Sequence, residues 1–210
     1  MKVSIVLFDV SLDEFDLSDS YIIGCDKGAL NAINSGYTPD LSIGDFDSID
    51  DLELDYVKKN SKELIKLNPI KDKTDVEEAF IKGMEISSDI TIYGGIEGKR
   101  IEHFLSILSL FNKNINLKIV DNNSLIFKIN KPFKFYKKDY SKYKFVSFFL
   151  DNEGDISLDG FYYNLSNKHI DSSYSSLLVS NRMVKDELYI DTNTNTLVIM
   201  SKLDNKNNLE

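Results

Sequence analysis

Two aspartates separated by one residue occupy the segment Gly44-Asp45-Phe46-Asp47-Ser48, directly after a short apolar run at residues 41–43. In an extended chain, this spacing predicts that both carboxylates face one side and that Phe46 faces the other. Two like charges held together are unfavourable unless a cation lies between them. Mg2+ prefers oxygen ligands and is commonly bound by one or two carboxylates together with waters and substrate phosphates. The pair therefore indicates a nucleotide-phosphate site, although Asp is also a common turn residue and both aspartates could serve only that purpose.

A second acidic segment, Asp72-Lys73-Thr74-Asp75-Val76-Glu77, has the pattern of a helix N-terminus. The pattern predicts Thr74 as the N-cap and Glu77 as its partner in a capping box. Asp75 then lies in the first turn, where a negative charge suits the helix dipole. Asp75 could alternatively be a third carboxylate near the metal, but the local sequence alone favours the capping interpretation.

A glycine-rich loop at residues 94–100 connects a predicted strand, Ile90–Tyr93, to a predicted helix that starts near Ile101. Such loops allow backbone N–H groups to approach phosphate oxygens, and a helix N-terminus adds a positive field. Arg100 could bind phosphate through two parallel hydrogen bonds. The order of residues is not that of the Walker A motif. His103 is predicted to be a surface or half-buried structural histidine, and the spacing of His and Cys does not indicate zinc.

Short apolar runs alternate with amphipathic helices up to about residue 121, which predicts a mostly parallel sheet flanked by helices. The predicted strands are Val3–Phe8, Tyr21–Cys25, Leu41–Ile43, Leu64–Leu67, Ile90–Tyr93 and Leu117–Val120. The helix after the glycine-rich loop shows an apolar stripe at Ile101, Phe104, Leu105, Leu108 and Phe111.

The helical period disappears after about residue 122, where short runs separated by turn residues predict an antiparallel β-sandwich. These runs are Phe145–Leu150, Ile156–Leu158, Phe161–Leu165, Glu187–Ile190 and Thr196–Met200. We therefore expect an α/β protein of two domains, an α/β domain at residues 1–122 and a C-terminal antiparallel β-sandwich domain at residues 123–210.

The charge of the chain is uneven, with a formal net charge of -9 over 210 residues. Residues 1–100 hold 21 acidic and 11 basic side chains, whereas residues 101–210 hold 13 and 14. This balance argues against a nucleic-acid-binding protein, which needs clustered Lys and Arg. The single cysteine, Cys25, excludes an internal disulfide, fits a reducing compartment and is predicted to be a buried strand residue. The apolar run Val3–Phe8 is too short for a signal peptide or a membrane span, so we expect a cytoplasmic protein without a membrane partner.

The order of the motifs resembles that of the thiamine pyrophosphokinase family along nearly the whole chain. The segments that carry the resemblance are Asp26-x-Gly28-Ala29, Pro39-Asp40-x-x-Ile43-Gly44-Asp45-Phe46-Asp47-Ser48, Asp72-x-Thr74-Asp75-x-Glu77-x-Ala79, Gly94-Gly95-x-x-Gly98-x-Arg100-Ile101-x-His103 and Ser180-Asn181. The resemblance implies an α/β domain followed by a β-sandwich. It also implies transfer of a pyrophosphoryl group from ATP to the hydroxyl of thiamine, which gives thiamine diphosphate and AMP.

The resemblance further implies a role for each residue that matches a family motif. The carboxylates that would hold Mg2+ against the ATP phosphates are Asp45, Asp47 and Asp75. The residues that would line the nucleotide side of the site are Asp26, Ser48, Thr74, Arg100 and His103. Arg100 would contact the phosphate chain and would act with the three carboxylates in catalysis. The residues that would help to hold thiamine, where two subunits of a homodimer meet, are Ser180 and Asn181.

Three positions depart from the family pattern. Lys27 replaces a residue that is usually small, Glu102 replaces the usual Asp, and Arg182 replaces the usual Glu. The chain has no Trp, so a ring that stacks on thiamine would have to come from Tyr, Phe or His. Two alternatives therefore stay open: a diphosphokinase that acts on another small alcohol such as a hydroxymethylpterin, and a non-catalytic nucleotide-binding protein of the same fold.

Overall fold

A parallel β-sheet forms the centre of the first 122 residues in the computed structural model. Its strands are β1 (Lys2–Val6), β2 (Ser20–Cys25), β3 (Leu41–Gly44), β4 (Glu63–Lys66), β5 (Ile90–Tyr93) and β6 (Lys118–Val120). They lie in the order β4-β3-β2-β1-β5-β6, and all neighbours are parallel. The order reverses between β1 and β5, and in sheets of this kind ligands bind outside the carboxyl ends of the strands near such a reversal.

The structure describes residues 1–97, 100–171 and 176–202. By contacts, the chain divides into two compact units, Met1–Asn122 and Asn123–Glu210. The predicted fold class is confirmed: a mostly parallel sheet with helices comes first, and antiparallel sheets follow. Cys25 is a free, buried cysteine at the end of β2, as predicted. In the part of the chain that the structure describes, no helix is long and apolar enough to cross a membrane.

Four helices lie between the strands in the described part of the first unit. They are α1 (Gly28–Asn34), α2 (Asp51–Asn60), α3 (Asp75–Ile86) and α4 (Ile101–Ser109). Thr74 is the N-cap of α3, because its side chain accepts a hydrogen bond from the Glu77 N–H at 3.2 Å. The Glu77 carboxylate accepts a hydrogen bond from Lys113 instead of completing the predicted capping box. The complete box is found at α2, between Asp50 and Glu53.

The apolar stripe predicted for the last of these helices is wrong in part. Ile101 and Leu105 are 67% and 58% exposed, whereas Ile107, which lies outside the predicted stripe, is buried. The sequence pattern identified the helix correctly, and Phe111 of the predicted stripe is buried, but Ile101 and Leu105 do not belong to the buried face. An apolar part of α4 is therefore left at the surface of the first unit.

The second unit is an antiparallel β structure with its own core. Its strands are β7 (Ser124–Ile129), β8 (Phe133–Tyr136), β9 (Phe145–Leu150), β10 (Gly154–Asp159), β11 (Leu165–Ile170), β12 (Glu187–Thr192) and β13 (Thr196–Ser201). β13 pairs with both β7 and β9, and the other strands form a sheet in the order β11-β10-β12-β8. The core between them contains several aromatic rings, among them Phe127, Phe135, Phe148 and Phe161.

The predicted strand Phe161–Leu165 is wrong, and β7 and β8 were missed. Phe161 forms only an isolated bridge with Met183, and β11 begins at Leu165. The apolar residue at position 161 reflects burial of its ring in the core, where it is 1% exposed, and does not indicate a strand. β11 itself is largely exposed, so its sequence lacks the alternation that identifies a half-buried strand.

Candidate active site

Three loops bring carboxylates together at one edge of the parallel sheet. Asp26 follows β2, Asp45 and Asp47 follow β3, and Asp75 is the first residue of α3. One oxygen from each of Asp26, Asp45 and Asp47 lies within 4.8 Å of the others. Asp75 joins this group through its Oδ1, which accepts a hydrogen bond from the Asp45 N–H at 3.1 Å. We call these four residues the acidic cluster.

The backbone around the acidic cluster adopts unusual conformations. Asp26 and Phe46 have φ values of 53° and 58°, in the left-handed region that few residues with a Cβ adopt. The extended geometry expected for residues 45–47 is therefore wrong, and the chain turns there, with the Asp47 N–H donating to Asp45 Oδ1 at 3.2 Å. The Phe46 ring does face away from the carboxylates and is only 4% exposed. Its burial fixes the turn that directs the two carboxylates outwards.

Gly44 allows the loops after β2 and β3 to approach each other. A Cβ at this position would lie 2.9 Å from Asp26 Cα, so any larger residue would push the two loops apart. Asp26 then joins the loops, because its Oδ1 accepts a hydrogen bond from the Phe46 N–H at 3.0 Å and its Oδ2 accepts one from Ser48 Oγ at 3.3 Å. Asp26 is thus part of the converging group, rather than only a neighbour of it.

Lys71 lies against the acidic cluster and was not identified from the sequence. Its Nζ is 3.2 Å from Asp45 Oδ2 and 3.1 Å from Asp75 Oδ1, and its side chain is only 16% exposed. The signal that could have found it is its spacing of four positions before Asp75, which differs from that of Lys73, two positions before the same carboxylate. Lys71 provides one positive charge beside four carboxylates.

The charges in this region shift the pKa values of its groups. Burial raises the pKa of Asp26, and the neighbouring charges of Asp75 and Asp45 raise it further. Burial opposes the charge of Lys71, but its hydrogen bonds to Asp75 and Asp45 and their charges outweigh that effect and raise its pKa. Burial, followed by the charges of Asp75 and Asp26, raises the pKa of the Cys25 thiol well above its usual value. The negative charge of the site is therefore only partly neutralised by Lys71.

This arrangement fits a hard divalent cation. All the converging donors are carboxylate oxygens, the donor type that Mg2+ prefers, and their mutual repulsion is what a cation would relieve. Ser48 and Thr74 are both exposed near these carboxylates, but the Thr74 hydroxyl already caps α3.

The glycine-rich loop does not offer its first two N–H groups to a ligand. The Gly94 N–H donates to the Val120 carbonyl at 2.8 Å, and the Gly95 N–H donates to Asp9 Oδ1 at 2.8 Å. In this conformation, neither of these two N–H groups is free to approach a phosphate oxygen. The sequence analysis did not identify Asp9 as a partner of this loop, although Asp9 follows β1 as Asp26 follows β2 and Asp45 follows β3.

The rest of that loop includes Gly98 and Lys99, which lie outside the described residues. Arg100 precedes α4, is exposed, and donates from Nε to Glu102 Oε1 at 2.7 Å. His103 is exposed in the first turn of the same helix, as predicted for a surface histidine. Glu102, which departs from the family pattern, thus orients Arg100 near the helix start. The described contacts of Arg100 and His103 lie within this turn and do not reach the acidic cluster.

Asn181, in the second unit, is buried and its side chain is engaged within the protein. Its Oδ1 accepts hydrogen bonds from the N–H groups of Tyr163 at 3.0 Å and Arg182 at 2.9 Å. Its Nδ2 donates to the Tyr163 carbonyl at 2.8 Å, and its backbone pairs with Val146. The amide therefore fixes the position of Tyr163 and leaves little hydrogen-bonding capacity for a ligand.

The residues next to Asn181 are exposed. Ser180 has a left-handed φ of 61°, and its N–H donates to Ser147 Oγ at 3.0 Å. Tyr162 and Tyr163 are 57% and 56% exposed, with perpendicular rings 4.9 Å apart. The Arg182 guanidinium lies 4.6 Å from the centre of the Tyr162 ring, which is the distance of a cation–π contact. Ser180 and two aromatic rings thus form a surface that sequence analysis did not specify.

Comparison with known proteins gave consistent results. A sequence profile described as "Thiamin pyrophosphokinase, catalytic domain" matches residues 13–120. The thiamine pyrophosphokinase of Bacillus subtilis (strain 168) is 33% identical over 169 residues, which cover 77% of this chain and 78% of that protein. The crystal structure of a thiamine pyrophosphokinase from Bacillus subtilis superposes with a TM-score of 0.85 at 25% identity, covering 97% of this chain and all of that one. The crystal structure of a thiamin pyrophosphokinase from Geobacillus thermodenitrificans superposes with a TM-score of 0.82 at 24% identity, covering 98% of this chain and 99% of that one. This second similarity supports the fold alone.

Proposed function

This chain belongs to the thiamine pyrophosphokinase family, and we propose that it transfers the pyrophosphoryl group of ATP to the hydroxyl of thiamine. The thiamine oxygen attacks the β-phosphorus, the bond from that phosphorus to the α–β bridging oxygen breaks, and AMP leaves with that oxygen. The hydroxyl proton is released to solvent or to a neighbouring base. The observation that carries the proposal is the acidic cluster, which lies within the matched residues 13–120.

Mg2+ is the cation that we assign to the acidic cluster, with Asp45, Asp47 and Asp75 as its carboxylates and Asp26 beside them. When bound, the ion would offset charge on the phosphate oxygens, which is the main requirement in transfers of this kind. Asp26 holds the two loops together through Phe46 and Ser48, so that the carboxylates converge before substrate arrives.

Arg100 is the cation that we assign to the phosphate chain. It stands at the start of α4, where a helix N-terminus also favours negative charge, and Glu102 keeps its guanidinium oriented in the absence of nucleotide. His103 lies in the same turn and would contribute to the nucleotide side of the site. Thr74 acts indirectly, because its hydroxyl caps α3 and so fixes the position of Asp75.

The first unit, residues 1–122, would thus bind ATP and Mg2+, and the second unit, residues 123–210, would contribute to thiamine binding and dimerisation. Ser180, together with the exposed rings of Tyr162 and Tyr163, offers a polar group and flat apolar surfaces suited to a small aromatic cation. Asn181 supports this surface by fixing Tyr163. Because the reaction consumes ATP, we expect it to take place in the cytoplasm.

An AMP-release assay tests the identity of the acceptor. We expect AMP in the presence of thiamine, ATP and Mg2+, and background levels with thiamine monophosphate, whose hydroxyl is blocked. AMP release with a hydroxymethylpterin but not with thiamine would favour the related diphosphokinase. Binding of ATP without AMP release from any of these acceptors would favour a non-catalytic nucleotide-binding protein.

A homodimer that shares its sites is the second part of the proposal. The exposed Ile101 and Leu105 of α4 and the exposed Tyr162 and Tyr163 are apolar surfaces that a second subunit would cover. Light scattering at micromolar concentration should therefore give twice the mass of the 24.0 kDa chain.

Mixing two inactive chains tests whether each site uses both subunits. One chain carries Asp47→Asn and the other carries Tyr162→Ala with Tyr163→Ala. If the sites are shared, the mixture should recover activity because each heterodimer contains one intact pair of units. A mixture of Asp47→Asn with Asp45→Asn is the control, since both changes damage the same unit. A monomeric mass, or equal recovery in both mixtures, would reject the shared site.

A further inference from the structure

Among the described residues, Lys71 is the cation that forms ion pairs with the acidic cluster, one with Asp45 and one with Asp75. It lies in the loop between β4 and α3, and that loop is attached to the end of β3 by the hydrogen bond from the Leu67 N–H to the Gly44 carbonyl at 2.8 Å. The ammonium bridges Asp45 Oδ2 and Asp75 Oδ1 at nearly equal distances of 3.2 and 3.1 Å. A lysine ammonium has three donors, so one stays available for another oxygen.

The position of Lys71 has two consequences for a divalent cation. The ammonium occupies one face of Asp45 and Asp75, which are both carboxylates that we assign to the metal. It also reduces the negative charge that attracts the metal. A nucleotide that arrives with Mg2+ would instead bring phosphate oxygens, with which a lysine on a flexible stem interacts well as a point charge.

We infer that Lys71 is the resident counter-cation of the acidic cluster without metal, and a positioning residue for the ATP phosphates when metal-nucleotide binds. This inference rests on the proposed function for its second half only. The lysine stabilises the crowded carboxylates of the free protein, weakens the binding of metal alone, and strengthens the binding of metal together with nucleotide. The site thereby favours the metal-nucleotide complex over the free ion.

The variants Lys71→Met and Lys71→Arg test this inference, and Lys73→Met is the matched control. Lys73 lies two residues further on, is 46% exposed, and pairs with Glu78 at 3.3 Å, outside the cluster. Three quantities are measured on the full-length chain: the melting temperature in a chelator, the affinity for Mg2+ without nucleotide by calorimetry, and KM for Mg-ATP separately from kcat.

We expect Lys71→Met to lower the melting temperature without metal by about 3–8 °C, because Asp45 and Asp75 lose their shared partner. Mg2+ alone should bind about three- to tenfold more tightly to this variant, since a nearby positive charge is gone. KM for Mg-ATP should rise. Lys71→Arg should restore most of the stability, and Lys73→Met should change none of the three quantities.

Weaker or unchanged binding of Mg2+ to Lys71→Met would overturn the inference, because a purely structural lysine would orient the carboxylates and its loss would not favour the metal. An unchanged melting temperature would also overturn it. Both measurements are made without catalysis, so failure of the wild-type chain to release AMP with thiamine would reject the proposed function and leave these two results interpretable.

A second feature, independent of the first, is a basic cavity in the second unit with a volume of about 430 Å³. Its lining includes five cationic side chains, those of Lys137, Lys142, Lys144, Arg182 and Lys202. Residues 131–144 alone contain six lysines and one carboxylate, in a chain whose net charge is -9. The cations of the cavity come from three separate parts of the sequence.

The fold of the second unit brings these segments together. Lys144 directly precedes β9, and its N–H donates to the Ser201 carbonyl at 2.9 Å, next to Lys202. The bridge between Val146 and Asn181 brings Arg182 to the same place. In the described ranges, Lys144 and Arg182 form no ion pair with a carboxylate; Arg182 instead lies over Tyr162. The positive charges of Lys144 and Arg182 line one cavity and repel each other, and an anion bound there would relieve that repulsion.

We propose that this cavity binds a small anion that carries two or more phosphate groups. Its volume is in the range of sites for small molecules. Lysine and arginine are the side chains that bind phosphate oxygens by charge-assisted hydrogen bonds. Inorganic pyrophosphate, ATP and thiamine diphosphate share the required chemistry, and they differ in the group attached to the phosphates.

Thermal shift measurements in a chelator test the basic cavity. The parent is the full-length Asp47→Asn chain, so that turnover does not change the ligand. Lys144→Gln with Arg182→Gln removes two charges from the cavity while largely keeping side-chain volume. Lys131→Gln with Lys168→Gln is the charge-matched control, since both lysines are exposed and outside the lining.

We expect pyrophosphate to raise the melting temperature of the parent and of the control, but to have less than half that effect on the cavity variant. ATP and thiamine diphosphate as separate ligands show which attached group adds to the shift. Equal shifts in the cavity variant and the control, or no shift in the parent, would overturn the proposal. The same shift with sulfate at equal ionic strength would show an adventitious ion only, and would also overturn it.

Discussion

The segments around Asp47 and Asn181 are both polar motifs beside a left-handed residue, yet the structure uses them in opposite ways. In the first unit, Phe46 turns the chain so that carboxylates crowd together, and within the described residues Lys71 is the cation paired with them. In the second unit, Ser180 turns the chain so that Asn181 is buried with its amide satisfied. Crowded like charges reduce the stability of the fold and are expected where a cation is to be bound. A satisfied amide stabilises the fold, and the side chain of Asn181 is used in that way.

The largest effect that this comparison predicts is on catalysis by Asp47→Asn. We expect turnover to fall about a thousandfold or more, since charge stabilisation dominates phosphoryl-type transfer. The melting temperature should stay within about 2 °C of the wild type, because Asp47 is exposed and the change removes only charge. AMP release and thermal unfolding are the two measurements.

Asp55→Asn, an exposed position in α2, is the control for this variant and should keep full activity. Near-wild-type turnover by Asp47→Asn would mean that the turn after β3 is structural, like the turn at Ser180, and the contrast between the two segments would disappear.

The second effect is on stability, and it should appear at Asn181. Asn181→Ala removes a buried amide and leaves the half-buried N–H groups of Tyr163 and Arg182 without their acceptor, which should cost about 2–4 kcal/mol. For a chain of this length, that loss lowers the melting temperature by about 5–12 °C. Asn152→Ala, in the exposed loop between β9 and β10, should change it by less than about 2 °C.

Activity separates the two possible roles of Asn181. If this residue only positions Tyr163, Asn181→Ala should lose activity mainly through a higher KM for thiamine and lower stability, while KM for ATP stays unchanged. A stable Asn181→Ala protein that has lost all thiamine binding would show that the amide contacts the substrate directly.

The first unit was predictable because its local signals agree with one another. The strands are mostly short apolar runs, α2 and α3 start after the capping residues Asp50 and Thr74, and parallel strands place the residues that follow them at a common edge. Asp45 and Asp47 could be placed at that edge on this basis, whereas Asp26 was expected near them only from the family resemblance. The turn at Phe46 could not be predicted, because a left-handed Phe contradicts local preference and is maintained by burial of its ring.

The second unit was less predictable because its strands are exposed or surrounded by charge. β8 lies among lysines, and β11 contains Ser166, Asn167, Lys168 and His169, which give no apolar alternation. The role of Asn181 depends on Tyr163 and Val146, which are far from it in the sequence. Lys71 was missed for a related reason, since only the folded chain shows that a lysine in an acidic motif reaches two carboxylates.

The smallest effect concerns Asp26, because the folded protein should become more stable when this side chain loses its charge. Burial and the charges of Asp75 and Asp45 raise its pKa in the folded protein above the value of 3.8 expected when unfolded. The folded state therefore binds more protons than the unfolded state between these two pKa values, and ionised Asp26 destabilises the fold at higher pH. Asn at this position can still accept from the Phe46 N–H. Asp26→Asn should thus raise the melting temperature in a chelator at pH 7 by about 2–4 °C.

The pH dependence gives the sign of this effect an independent check. The difference in melting temperature between Asp26→Asn and the wild type should reach its full size above the raised pKa of Asp26. It should vanish as the pH falls below 3.8, where the carboxyl is neutral in both the folded and the unfolded state. Asp16→Asn is the control of opposite sign, because hydrogen bonds from Ser18 lower the pKa of the exposed Asp16. Loss of the Asp16 charge should destabilise the protein slightly at pH 7 and should have no effect at low pH. If Asp26→Asn is less stable than the wild type at pH 7, Asp26 belongs with Asn181 as a satisfied structural group, and the acidic cluster is not under the repulsion that a bound cation would relieve.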